Sequence, residues 1–600
     1  MQVKLTTPGA ARTGRLTVDD LLRLEDLGGV ALSPDGRWLA FVRQRPRLTA
    51  AFHKYDFLFG GDRGDVWLVD TSVGAPQNMT RGADEGAGYW APRWSPDSER
   101  LAMLSTKGGN VHLWGCEIRS GMLVQLSARA VDLDARGAPY VWVSDHGVLI
   151  ATLPEGERPV GMVIEVQAAE SAMREWPKAW AGRDSTASVL DSGTHPPFDE
   201  RPQGELLLVD VISGRERSVM RGFFRDLRIA PDRRHIAFLR QVDVVRPDAG
   251  RRLEHAGQEI HQLGIVTADG GVAIGGVEQI EEPIGASLRW SPDGSAVALV
   301  ARESNSPESA RQAFRYRLGD RRVQPVTEAR LEALSILWAA GGGIMIFAKP
   351  SRDATDEATE RADWWLVSGD RQPRKLTADL SAVPPQLFPE EGRESFVGLA
   401  DGDIFRLSVD ACCEKLTASF EPNVAWLVWP PPGGCDGQTF AQLVLAVNDG
   451  TSTSWHRLDL RSGELSSLSW PSDRGWLLDF APEHDVAVPV AVDRMGARLW
   501  ISKPAFERHT AVVETNTWLR DVAEGELTRI DYQALSGEDL KAWLILPVGY
   551  EPGERCPLVN STARRVDRSA ASWSAERAGT GPRAAWGTRR YARVERFCAQ

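Results

Sequence analysis

The chain has 600 residues, 42% hydrophobic and 25% charged, with a formal charge of −12. That length exceeds what one hydrophobic core usually supports, so several domains or a repeat array are expected. The acidic balance argues against a general nucleic-acid binder, and no apolar run approaches the about 18 residues that span a bilayer.

The first 16 residues read as a loose leader without the apolar stretch of a signal peptide, and a cytoplasmic location is expected. Thr17–Leu27 predicts a short amphipathic helix, opened by a capping box of Thr17 and Asp20. From about Ala31 a phrase recurs. It reads LSPDGRWLAFV at 32–42, RWSPDSERLAML at 93–104, RIAPDRRHIAFL at 228–239 and RWSPDGSAVALV at 289–300. Each copy predicts a strand, a tight turn and a second strand: proline presets φ, aspartate bonds the local backbone, and glycine accepts φ > 0. The second strand is apolar on both faces, as suits a strand sandwiched between sheets.

A second hairpin closes each unit, ending in an Asp-x-x-x-Gly turn and, in its fuller copies, a Leu-Thr. Seven closings are legible, at 66–80, 111–127, 206–220, 314–327, 364–377, 404–417 and 455–469. Openings decay toward the C-terminal half, at 336–347, 396–399 and 478–492. Units of roughly 40–60 residues with Gly/Asp turns predict an all-β, seven- to eight-bladed β-propeller over 28–516. The 22 tryptophans sit in strand-like phrases and are expected to pack between sheets rather than form a ligand cage.

Two stretches interrupt the repeat. A helical insertion is expected at about 155–204, its helix at 165–182 ended or kinked by Pro177. Glu165, Glu170 and Glu175 on it are candidates to hold a peptide's amino terminus, weighed against a solvated helix face. The charged stretch 240–262 reads as a surface loop. The six cysteines show no metal-binding spacing, and adjacent Cys412 and Cys413 read as reduced bystanders. Ten histidines include no H-E-x-x-H, so neither metal nor cofactor is expected.

After about Trp518 the pattern changes. DYQALSGEDLKAWLILP (531–547) predicts a strand, a turn and a strand, and VGYEPGERCPLV (548–559) leads into another strand. Residues 517–559 therefore read as the start of a second domain. From Asn560 the text holds nine Arg against three acids, a net +6 against −18 for the preceding 559 residues, without sustained periodicity. The change in mid-strand predicts an aberrant tail, read in another frame or from a rearranged gene end.

The helix with LSPDGRWLAFV, the run of blades and the junction LSGEDLKAWLILPVGYEPGERCPLV together resemble the prolyl oligopeptidase family, in its acylaminoacyl-peptidase and dipeptidyl-peptidase-like branch. KAWAGRDSTASVLDSG (178–193) resembles bacterial members of that group. The resemblance covers roughly 17–559 and implies a propeller lid over an α/β-hydrolase domain, here incomplete. It also implies a nucleophilic serine on a G-x-S-x-G elbow, followed by aspartate and histidine. No serine here has glycine at both −2 and +2. The nearest are Gly450-Thr-Ser452-Thr-Ser454 and Gly285-Ala-Ser287-Leu-Arg289, each with only the first glycine. No catalytic residue is assigned, and the chain is expected to be inactive on its own. The alternative is a non-enzymatic propeller that binds peptides or proteins. Short peptides are the expected partners, with no nucleic acid and no membrane.

Overall fold

The computed structural model describes Gly14 and residues 16–554, apart from 50–59, 73, 134–137, 184–202, 246–258, 272–279, 282–287, 304–309, 321, 328–329, 352–360, 369–372, 411, 418–423, 431–437, 449–452, 473–474, 494–495, 534–536 and 538. The expected third strand after the junction and the basic tail from Asn560 lie outside the described residues.

Among the described residues the strands group into nine antiparallel units of four, each contiguous in sequence. Unit 1 is Asp26–Leu32, Trp38–Gln44, Gly64–Asp70 and Gln77–Asn78. Unit 2 is Tyr89–Trp94, Arg100–Ser105, His112–Glu117 and Leu123–Gln125. Unit 3 is Tyr140–Trp142, Gly147–Thr152, Gly204–Asp210 and the first half of the long strand Glu216–Ile229. The second half of that strand opens unit 4, followed by His235–Val244, Glu259–Thr267 and Ile280–Glu281. Unit 5 is Arg289–Trp290, Ala296–Glu303, Gln312–Arg317 and Arg322–Pro325. Unit 6 is Leu331–Trp338, Ile344–Pro350, Asp363–Val367 and Arg374–Lys375. Unit 7 is Phe388–Pro389, Ser395–Ala400, Asp403–Ser408 and Cys413–Lys415. Unit 8 is Val424–Trp429, Gln442–Asn448, Thr453–Asp459 and Leu465–Leu468. Unit 9 is Trp476–Ala481, Val486–Asp493, Gly496–Ser502 and His509–Thr515.

Units 3, 4 and 5 join into one 11-stranded path through the shared long strand and a pairing of Ile280–Glu281 with Ala296–Glu303. Apolar clusters link every neighbouring pair of units around the ring. The last links unit 9 back to unit 1, with Leu39, Phe41 and Val69 against Val488, Leu499 and Ile501. This is the closed ring of small sheets that defines a propeller.

The expectation of seven or eight blades is corrected to nine such units. Two units lack a legible closing phrase. Unit 4 builds part of its sheet from the charged stretch 240–262, expected as a loop: His235–Val244 pairs with Glu259–Thr267, placing Arg240 opposite Gln262 and Gln241 opposite His261. Unit 9 closes on His509–Thr515, without the Leu-Thr ending of its better-preserved counterparts.

The turn chemistry holds. In unit 1, Gly36 N–H donates to Ser33 O at 2.9 Å, Trp38 N–H donates to Ser33 Oγ at 2.9 Å, and Ser33 Oγ donates to Asp35 Oδ1 at 2.5 Å. Gly36 sits at φ 65°. Ser98 and Arg233 occupy the same left-handed position in the worn copies, at φ 63° and 58°.

Tryptophans lock one unit to the next. Trp94, Trp142, Trp290 and Trp338, each ending an innermost strand, donate their indole N–H to a carbonyl of the preceding unit's innermost strand. The acceptors are Ala31, Arg93, Arg228 and Arg289, at 2.9–3.0 Å. A buried indole needs such a partner, so the same residue supplies both apolar area and register.

The threonines of the closing phrase have a job of their own. Thr377 Oγ1 donates to Asp363 Oδ1 at 2.9 Å while accepting from Trp364 N–H at 3.0 Å, and Thr417 repeats this with Asp403 and Ile404. The fourth strand is thereby pinned to the start of the third.

The N-terminal helix is shorter than expected. It spans Val18–Leu22 with the capping box in place, and Asp26–Leu32 is already strand because Leu24 and Leu27 are buried. The insertion carries a helix at Val160–Trp180 that runs through Pro177.

Candidate functional site

Strand direction defines two faces of the ring. The innermost strands of units 1, 2, 4 and 5 end at Ser-Pro-Asp-Gly-type turns, and the units run in the same sense around the ring, so one face carries those turns. The opposite face carries the start of unit 1 at Asp26 and the end of unit 9 at Thr515. The segments at both chain ends and the helical insertion, which follows Thr152, therefore emerge on that second face.

The seam between units 9 and 1 is closed by packing and side chains, by Leu32 toward the turn face and by Asn516 on the face of the chain ends; among the described residues no unit mixes strands from the two chain ends. Leu32 N–H donates to Asp479 Oδ2 at 2.9 Å. Asn516 grips the chain like a peptide group: its Oδ1 accepts from Glu25 N–H at 2.9 Å and its Nδ2 donates to Glu25 O at 2.7 Å. Farther out, Gly14 bridges Val522 in parallel, with Ala523 N–H donating to Gly14 O at 2.7 Å. Burial pushes the Asp479 carboxyl above its ordinary range, against the two backbone N–H groups that favour its charged form.

Beyond the seam comes the junction hairpin, Leu527–Gln533 paired in full register with Asp539–Ile545. One face alternates Ile530, Tyr532, Leu540, Ala542 and Leu544. Ile530 is 42% exposed and Tyr532 48%. Among the described residues neither strand pairs further, and an apolar two-stranded sheet is a surface that further structure normally covers. The turn at Ser536 and the side chain of Trp543 lie outside the described residues.

Among the described residues the helical insertion brings no acidic cluster together. Glu170 is exposed, and Glu175 is held by Arg174 Nε at 2.5 Å and Lys178 Nζ at 3.1 Å, which keeps its carboxyl below the usual range. The side chain of Glu165 lies outside the described residues. The described part is a solvated helix face on which Glu175 is paired with its neighbours.

Of the near-miss serines, Ser287 and Ser452 fall outside the described residues. Ser454 is exposed and its Oγ lies 3.0 Å from His456 Nε2. A hydroxyl beside an imidazole suggests a nucleophile and base, but the remaining parts do not assemble here. Both residues lie inside the strand Thr453–Asp459, with Ser454 opposite Val447 and His456 opposite Leu445. A regular paired strand offers neither the sharp turn that presents a nucleophile nor free N–H groups for an oxyanion. Burial lowers the pKa of His456. Sequence reading missed this contact, which follows from i, i+2 residues sharing one face of a strand.

Cys412 and Cys413 are both free and exposed, and burial of part of the Cys413 side chain raises its pKa. Cys116 is buried, its thiol pushed up to about 11. Raised thiols are poor nucleophiles. Among the described residues no group of three His, Cys, Asp or Glu could hold a metal ion, and no helix is long and apolar enough to cross a membrane.

No protein-family model matches the chain, and no curated protein matches it in sequence. Solved structures do align with it. An acylaminoacyl peptidase in complex with Z-Gly-Gly-Phe-chloromethyl ketone aligns with a TM-score of 0.40 and 11% identity, over 89% of this chain and 60% of that one. Porphyromonas gingivalis dipeptidyl peptidase 4 aligns with a TM-score of 0.41 and 8% identity, over 91% of this chain and 69% of that one. The β-propeller domain of the Trilobed protease from Pyrococcus furiosus, described as having an open velcro topology, aligns with a TM-score of 0.33 and 10% identity, over 83% of this chain and 98% of that one. The chain is thus similar over about nine-tenths of its length to an acylaminoacyl peptidase of which it spans 60%.

Proposed function

We propose that this chain is the gating propeller of a serine-type peptidase resembling the prolyl oligopeptidase family, followed by the opening hairpin of its α/β-hydrolase domain. The observation that carries the reading is the junction. The chain leaves the ring at Thr515, pairs with its own N-terminal segment at Gly14, and enters a hairpin with one apolar face, on which Ile530 and Tyr532 are exposed. Its sequence, LSGEDLKAWLILP, is the stretch most like that family. In such an enzyme the ring would admit short peptides and exclude folded proteins from the hydrolase.

The 600 residues contain no G-x-S-x-G, and chemistry by the covalent route needs that serine. The chain by itself is therefore proposed to be inactive on peptides. Treatment of the purified chain with a fluorophosphonate probe should leave it unlabelled, and acyl-peptide and dipeptidyl substrates should stay intact. Stoichiometric labelling, at Ser454 or elsewhere, would overturn the reading. Limited proteolysis should trim material after about residue 520 and leave a resistant ring.

A further inference from the structure

Two apolar features of the chain are left unused by the function proposed above. One is a cavity of about 140 Å³ between units 5, 6, 7 and 8, walled by Trp290, Trp338, Phe388 and Phe440. Each of those residues is less than a tenth exposed, so the space belongs to the packed core. The other is the outer end of the insertion helix, Val160–Trp180.

That helix is rooted at its N-terminal end. Gly161 and Met162 are buried, Met162 within the apolar cluster that joins units 2 and 3, and Asn110 Nδ2 donates to Glu157 O, just ahead of the helix, at 2.9 Å. From Glu170 to Arg183 no residue is buried. Yet this end carries Met173, Trp176 and Trp180, exposed by 79%, 62% and 84%. Their spacing of i, i+3, i+7 sets them on one face, and the two indole rings have centroids 6.3 Å apart. At roughly 200–250 Å² per large side chain, they leave about 500 Å² of bare apolar surface. A patch of that size on a soluble chain marks an interaction site.

We infer that this face pairs with the same face of a second copy, the two helices antiparallel about a two-fold axis near Trp176. The spacing is that of a coiled-coil seam, and this register sets Met173 of one copy against Trp180 of the other, so the stripe complements itself as a two-fold contact requires. Two such patches bury about 1,000 Å², the lower limit for a specific interface. Beside the stripe Glu170 and Glu175 cancel Arg174 and Lys178, so this end meets its copy without the repulsion of a chain at −12 and offers an anionic lipid surface no surplus of cations. Because each helix is rooted at its N-terminal end, antiparallel pairing sets the two rings at opposite ends of the pair. The inference does not rest on the hydrolase reading, since the helix belongs to the ring.

Sedimentation velocity of the 600-residue chain over about 1–100 µM should show the mass rising from one chain to two, as suits an interface of this small area. A two-fold contact uses each residue twice, so Trp176→Glu with Trp180→Glu should weaken pairing at least about a hundredfold. Trp176→Gln with Trp180→Gln, which adds no charge, should lose pairing as well. Both side chains are exposed, so the variants should keep the parent's melting temperature and circular dichroism. Ile530→Lys with Tyr532→Lys, on the junction hairpin, should pair like the parent, which separates this face from the one the proposed hydrolase would cover. A single chain at every concentration, pairing untouched by both tryptophan variants, or pairing lost in the hairpin variant would each overturn the inference. So would flotation of the parent with phosphatidylcholine vesicles that needs both tryptophans, which would assign the face to a lipid surface.

Discussion

Asn516 is the most informative residue to perturb, because it holds together parts of the chain 491 residues apart. Its side chain satisfies both the N–H and the C=O of Glu25, at 2.9 and 2.7 Å. Its own backbone lies in the left-handed region at φ 56°, which asparagine tolerates better than most residues. Asn516→Ala removes two hydrogen bonds, about 1 kcal/mol each, and adds roughly 1 kcal/mol of left-handed strain, about 3 kcal/mol in all. Asn516→Gly removes the same bonds without the strain and should cost about 2 kcal/mol.

The loss is local to the seam, so hydrogen exchange reads it more directly than global unfolding does. Amides of the first strand, Leu32 among them, should exchange roughly thirtyfold faster in Asn516→Gly, and faster again in Asn516→Ala. Units 4 to 6, on the far side of the ring, should keep their protection. Protection within threefold of the parent in both variants would refute the seam as the weak point. Equal losses in the two variants would refute the strain argument alone.

Arg233 sits exposed at φ 58° where a better copy of the turn has glycine, so Arg233→Gly should stabilise by about 0.5–1 kcal/mol in urea titration. Ser98→Gly should be close to neutral, because Ser98 Oγ also accepts the Asp35 N–H at 3.1 Å and that bond would be lost. Trp290→Phe removes the buried indole bond to Arg228 O and leaves a small cavity, a loss of about 2–3 kcal/mol by the same titration. Asp293, in the turn of unit 5, contributes to stability in acid. Hydrogen bonds from Ser291 and Ser295 lower the Asp293 pKa below its ordinary 3.8, so its stabilisation is full above that value and is lost as pH falls through the folded pKa. Asp293→Asn should flatten the fall in melting temperature below pH 3.8, and an unchanged slope would count against the turn as its origin.

The repeat was legible because its turns rest on backbone rules that survive wear. The four Ser-Pro-Asp-Gly copies each mark a real hairpin, and the seven closing phrases match seven of the nine units. The other two were hidden for different reasons. Unit 4 pairs strands rich in charge, with Arg225 and His261 held by Glu259 at 2.5 and 3.3 Å, so its strands do not look apolar. Unit 9 keeps apolar strands but closes without the Leu-Thr that pins other units. Which tryptophan packs and which also donates was not legible, since it depends on the carbonyl of a strand some 50–60 residues earlier.

The candidate sites divide along the same line. Motifs that depend on chain neighbours, such as a nucleophile elbow, are visible in sequence or absent from it. Contacts made by pairing are not. Ser454 and His456 meet only because a strand places alternate residues on one face, and the cavity at Phe388 exists only because four units converge there. The first contact has the right atoms without the geometry for chemistry, because the sheet already uses the backbone donors around it. The cavity is the converse case: nothing in the sequence announces it, because its walls Trp290, Trp338, Phe388 and Phe440 come from separate stretches of the chain. Donors spent in the sheet are why no catalysis is assigned to the strand.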